Sequence, residues 1–186
     1  TRPRGIRARR PLAYGRAMAS RERIGVYPGT FDPLTIAHLE ISDAAVDRFG
    51  LTRLDLAISR GALGKDHLPD STVAPRLEAI ERAARTRPWL RAVATDKLLI
   101  ADVAEGYDVV VMGADKWAQV NDPGWYGGDP SARDRALERL PVVAVAPRGG
   151  IHVPVELLLE VPDHLGEVSS TAVREGRTEW SAQPVD

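Results

Sequence analysis

The 186-residue chain has no cysteine, which removes disulfides and thiolate metal sites and makes a reducing cytoplasm the expected compartment. No apolar run approaches the roughly 20 residues that span a bilayer. Two phosphate-binding signatures are also missing, the Gly-x-Gly-x-x-Gly turn of dinucleotide folds and the Gly-Lys-Ser/Thr loop of nucleoside triphosphatases. Any phosphate chemistry must therefore be read from other segments.

Positive charge is scarce outside the N-terminus. Residues 1–23 carry eight Arg and one acid, Glu22, while 24–186 carry a net charge of −8. An acidic body argues against a general nucleic-acid surface. Residues 1–22 read as a disordered Arg-rich extension, with Met18 a candidate natural start and 1–17 the product of an upstream start. Residues 23–177 read as one domain and 178–186 as a loose tail.

Strand and helix signals alternate along 23–177. Apolar runs mark strands at 23–27, 54–58, 89–94, 108–112, 141–146 and 155–161. Helical signals fall at 35–49, closed by Gly50, at 72–86 capped by Ser71 or Thr72, at 96–105, at 131–140, and from a Ser169/Ser170 cap to Arg174. The segments 59–71 and 122–130 read as loops. Continuous Val/Ile/Leu strands are those of a parallel sheet buried on both faces. The expected fold is α/β, a single doubly wound parallel sheet with helices on both faces. Its ligands should sit at the carboxyl ends of the strands.

The run Ile24-Gly-Val-Tyr-Pro-Gly-Thr-Phe-Asp-Pro-Leu-Thr-Ile-Ala-His-Leu39 is strand, Gly/Pro turn and helix start. Such a start offers free N–H groups and a positive dipole to an anion. Gly29 permits close backbone approach, and Thr35 and His38 lie three apart on one helical face. The bland alternative makes Thr35 a plain cap and His38 a satisfied surface histidine.

Thr35-Ile36-Ala37-His38 resembles the Thr/His-x-Gly-His motif of the nucleotidylyltransferase superfamily. Val168-Ser169-Ser170-Thr171-Ala172-Val173-Arg174 resembles that family's late Ile-Ser-Ser-Thr-x-x-Arg motif. The resemblance covers about residues 24–176. It implies transfer of a nucleoside monophosphate from a triphosphate to a phosphate-bearing acceptor, releasing pyrophosphate, with Mg²⁺ carried on the triphosphate and no protein metal site. Carried over by position, the catalytic set is His38, Thr35, Lys65 and Arg174. The nucleotide would meet Gly29, Thr30, Phe31, His38, Gly113, Asp115, Ser169, Ser170, Thr171 and Arg174. The motif departs at Ala37, where the family has Gly.

For the acceptor, Met112-Gly113-Ala114-Asp115 and Ala146-Pro147-Arg148-Gly149-Gly150 resemble segments of nicotinate and nicotinamide mononucleotide adenylyltransferases. That resemblance implies acceptor contacts by Thr30, Lys65, Trp117, Trp125 and Arg148, with the Trp side chains stacking on a pyridine ring. The opening Tyr-Pro-Gly-Thr-Phe-Asp-Pro-Leu-Thr instead resembles phosphopantetheine adenylyltransferase. Three alternatives stay open: pantetheine-phosphate adenylyl transfer, a specialised cytidylyl or adenylyl transfer to another acceptor, and a nucleotide-binding protein without catalysis. The implied partners are small-molecule substrates, with no membrane; homo-oligomer assembly stays open.

Overall fold

A computed structural model describes residues 22–61 and 68–182. The N-terminal extension, Met18, Lys65 and residues 183–186 lie outside them. Five parallel strands form one sheet in the order β3-β2-β1-β4-β5. They are β1 Ile24–Pro28, β2 Arg53–Ser59, β3 Leu90–Thr95, β4 Val109–Gly113 and β5 Val142–Ala146. The helices are α1 Ile36–Phe49, α2 Asp70–Ala84, α3 Ile100–Val103, α4 Ala114–Asn121, α5 Pro130–Glu138 and α6 Ser170–Arg174. The doubly wound α/β expectation holds.

The strands are apolar on both sides because both faces are covered. Leu54, Leu56 and Ile58 of β2 point to one core with Leu39, Ile41 and Ile80 of α1 and α2. Val26, Val110, Met112 and Val145 form the other core with α3 and α4, through Val103 and Val120. Helices α1 and α2 thus cover one face, and α3 and α4 the other. The chain reverses its winding between β1 and β4, whose registers are Gly25 with Val109 and Val26 with Val110. Loops from opposite faces diverge there and leave a crevice.

Local chemistry explains the ends of α1. Thr35 is its N-cap, and Gly50 closes it at φ 58°, a left-handed conformation that glycine adopts without strain. Helix α2 begins at Asp70, two residues earlier than expected, with Pro69 at the N-cap position and no side-chain cap. Pro75 therefore lies past the first turn, where its missing N–H leaves the Ser71 carbonyl without its helical donor.

Three expectations need correction. The apolar run 155–161 is not a sixth strand: Val155–Leu157 is a 3₁₀ turn, and only Leu158 bridges Val145. Pro154 and Pro162 bracket this segment, and such residues cannot donate to a ladder. The helix expected over 96–105 shrinks to Ile100–Val103. Residues 178–182, expected to be loose, pack against the domain. Ser181 bridges Thr35, Ala182 N–H donates to the Leu34 carbonyl at 2.9 Å, and Trp180 rests on the α1/α2-side core. No helix among the described residues is long and apolar enough to cross a membrane.

Candidate active site

A cleft of about 730 Å³ opens along the carboxyl ends of the strands. The turn between β1 and α1 forms part of its wall. The Asp32–Pro33 bond in this turn is cis, and Phe31 holds φ 45°, a conformation uncommon for a non-glycine residue. Arg76 of α2 braces the turn, donating to the Thr30 carbonyl at 3.1 Å and to Asp32 Oδ2 at 2.9 Å.

Thr35 and His38 form a reciprocal cap. The Thr35 side chain accepts from the His38 N–H, while the Thr35 N–H donates to His38 Nδ1 at 3.0 Å. The Thr35 hydroxyl lies 2.9 Å from the same nitrogen. An Nδ1 that accepts from a backbone N–H carries no proton, so the neutral ring holds its proton on Nε2. The ring of Phe31 stands edge-on at 5.0 Å between centroids, with Tyr27 at 6.0 Å. This apolar lining pushes the His38 pKa down to about 4, because burial disfavours the charged ring. His38 at neutral pH is therefore an uncharged donor facing the cleft.

The late motif arrives at the same turn. Ser169 caps α6, accepting from Ala172 N–H at 3.1 Å. Ser170 Oγ donates to the Pro33 carbonyl at 2.8 Å. Arg174 donates to the Asp32 carbonyl, and to Thr171 Oγ1 at 3.0 Å. The bond from Ser170 commits its hydroxyl to the turn, so its hydrogen is not aimed at a ligand. Thr35, His38, Ser169, Ser170, Thr171 and Arg174 all line one cleft.

Other expected site residues divide. Gly29, Thr30, Gly113, Asp115, Trp125 and Arg148 line the cleft. Phe31 does not: it is 1 % exposed and turned into the core, where it supports the imidazole. A Cβ on Gly29 would stand 2.7 Å from Phe31 Cζ, so this glycine is required by the inward ring as much as by any ligand. A Cβ on Gly113 would meet nothing within 4 Å, leaving open space at the start of α4. Trp117 packs among the α3/α4-side apolar residues rather than on the cleft. Ala37 is buried at the cleft wall, where the resemblance would place glycine.

The cleft also holds residues the motifs did not single out: Arg76, Lys116, Gln119 and Tyr126. Arg76 sits in a plain amphipathic helix, and its sequence carries no signal. Lys116 directly follows Gly113-Ala114-Asp115, and its position there was the available signal. Among the described residues no group of three or more His, Asp or Glu could hold a metal.

A switch-point crevice, a capped imidazole and a short Ser-Ser-Thr helix together define a Rossmann-like nucleotidylyltransferase fold. Residues 26–176 match the family described as cytidylyltransferase-like, and the chain belongs to that family. It is similar to phosphopantetheine adenylyltransferase of Cereibacter sphaeroides, 31% identical over 153 residues, covering 80% of this chain and 90% of that protein. A stretch of 93 residues is 37% identical to the enzyme of the same name from Rhizorhabdus wittichii. That match takes in 49% of this chain and spans about half of the relative, 53%. A probable nicotinate-nucleotide adenylyltransferase of Gloeobacter violaceus is 26% identical, covering 87% and 88% of the two chains. In fold the chain is similar to Plasmodium falciparum nicotinic acid mononucleotide adenylyltransferase complexed with NaAD. The TM-score is 0.56 at 16% identity, over 83% of each chain.

Proposed function

We propose that this protein transfers AMP from ATP to the phosphate of a nicotinate or nicotinamide mononucleotide, releasing pyrophosphate. The observation that carries the reading is the meeting of His38 and the Ser170/Thr171/Arg174 helix at one turn within one cleft.

An acceptor phosphate oxygen attacks the α-phosphorus of the triphosphate. The new P–O bond forms as the bond to the bridging oxygen of the β-phosphate breaks, and pyrophosphate leaves with that electron pair. No protein nucleophile is needed, so catalysis rests on in-line placement and charge neutralisation. His38, neutral and protonated on Nε2, donates to an oxygen of the transferring phosphate. Its Nδ1 is held by Thr35, so the ring is oriented before substrate arrives. Arg174, the Thr171 hydroxyl and the start of α6 receive the β- and γ-phosphates. Lys65, in the sequence after β2 and outside the described residues, is assigned to the acceptor or the triphosphate by its resemblance to the family's lysine there. Magnesium on the triphosphate supplies further charge neutralisation.

On the acceptor side, Trp125 is 40 % exposed within the cleft and offers a face for a planar ring. Asp115 and Arg148, just past β4 and β5, form an ion pair at 2.6 Å and line the same cleft. A reducing cytoplasm suits a chain without cysteine. The similarity to the Cereibacter phosphopantetheine adenylyltransferase, over 80% of this chain and 90% of that protein, favours a second reading, pantetheine phosphate as acceptor.

The test is a pyrophosphate-release screen. ATP and CTP are each paired with nicotinate mononucleotide, nicotinamide mononucleotide and 4′-phosphopantetheine. Release with ATP and a pyridine mononucleotide supports the first reading; release with phosphopantetheine alone transfers it to the second. Release with no pair favours another acceptor or binding without catalysis.

A further inference from the structure

Four cations of the described residues line the cleft, and three are accounted for. Arg76 pairs with Asp32 at 2.9 Å, and Arg148 pairs with Asp115 at 2.6 Å. Arg174 is bound to the Asp32 carbonyl and Thr171 at the phosphate end. Lys116 differs. Its Nζ donates to Gln119 Oε1 at 2.7 Å, and among the described residues it has no carboxylate partner.

The side chain of Lys116 is partly buried, and burial lowers the pKa of its ammonium. A desolvated ammonium with only a neutral amide beside it is incompletely compensated. Its place in the fold says which part of a substrate could complete it. His38 and the turn braced by α6 belong to the face covered by α1 and α2. Lys116, Gln119 and Trp125 come from α4 and the turn after it, on the opposite face. Both sets line the one cleft. A substrate whose reacting phosphate lies at His38 would thus present its far end to Lys116.

We propose that Lys116 recognises a second anionic group on the acceptor, one carried at the end remote from its reacting phosphate. This inference rests on the adenylyl-transfer reading and sharpens it. An acceptor with a ring carboxylate is selected over its carboxamide counterpart, and over an acceptor whose remote end is uncharged. Trp125 covers the ring, and Gln119 holds the ammonium in place.

The experiment compares wild type with Lys116→Gln and Lys116→Arg. ATP is the donor, nicotinate and nicotinamide mononucleotides are the acceptors, and pyrophosphate release is the readout. Wild type is expected to favour the carboxylate by about 10-fold or more in kcat/KM, as a site built for a charged group does. Lys116→Gln is expected to bring that ratio to within about 2-fold of unity, through a higher KM for the carboxylate acceptor, while Lys116→Arg keeps the preference. The KM for ATP separates the two ends of the cleft. A rise in that KM with no change in the acceptor ratio assigns Lys116 to the nucleotide and overturns the inference. So does an unchanged ratio in Lys116→Gln. Wild type that releases no pyrophosphate with either mononucleotide overturns the acceptor reading itself, and the inference falls with it.

Discussion

Ser170 Oγ donates to the Pro33 carbonyl at 2.8 Å, joining residues 137 positions apart. This bond and its neighbour from Arg174 to the Asp32 carbonyl pin the late helix to the turn that carries His38. This end of the cleft is thus tied together by hydrogen bonds, and the proposed roles of its parts should be separable by mutation.

His38→Ala should lower kcat by about 10²–10⁴, the cost of losing a donor aimed at developing charge. The KM for ATP should move much less than kcat. Steady-state pyrophosphate release checks both. A kcat within about 2-fold of wild type would remove the imidazole from the reaction.

Arg174→Ala should act mainly on the triphosphate, raising the KM for ATP by about 10-fold, since one charge-assisted contact is lost. It also releases the Asp32 carbonyl, so some fall in kcat should accompany it. Isothermal titration with a non-hydrolysable ATP analogue isolates the binding part; unchanged affinity there would exclude the clamp role.

The His38 pKa, depressed by burial to about 4, makes a pH prediction with a definite sign. The unfolded ring titrates near the ordinary value of about 6.5. Between these values the unfolded chain binds more protons than the folded one, so stability rises with pH across that window. The contribution is complete above about pH 6.5 and is lost as pH falls towards 4. Thermal midpoints should drop more steeply across this window in wild type than in His38→Gln. Parallel curves would place the histidine in ordinary solvent.

Tyr107 offers a control away from the cleft. Its hydroxyl donates to Asp55 Oδ2 at 2.7 Å, and Asp55 is only 3 % exposed. Burial, with this bond, pushes the Tyr107 pKa up to about 12. Tyr107→Phe leaves the carboxylate with Arg53 as its remaining side-chain partner, the closest approach being 3.0 Å. Urea denaturation should show a loss of about 1–3 kcal/mol, with kcat unaltered. A stability within about 0.5 kcal/mol of wild type would count against the bond.

The sequence determined the strands β1 to β5 as short apolar runs, of which β1, β2 and β4 are buried almost throughout while the edge strands β3 and β5 are partly exposed. It also determined α1, whose Thr35 cap and Gly50 stop are local backbone chemistry. The two motifs that frame the cleft were legible for the same reason: their residues lie on adjacent positions of one element. Tertiary structure decided the rest. The run 155–161 is as apolar as a strand, but with Pro154 and Pro162 on either side and a 3₁₀ turn over Val155–Leu157 it makes a single bridge to β5, from Leu158 to Val145, and does not extend the sheet. Phe31 reads as a ligand contact beside Thr30, yet its left-handed backbone turns the ring beneath His38. Trp117 and Trp125 look equivalent in sequence; one faces the core and the other the cleft because they lie on different elements. Arg76 had no periodicity or spacing to announce it, and Lys116 had only its place directly after Gly113-Ala114-Asp115. Their roles come from the winding reversal between β1 and β4, which brings loops from both faces of the sheet to one crevice, and no local pattern encodes that meeting.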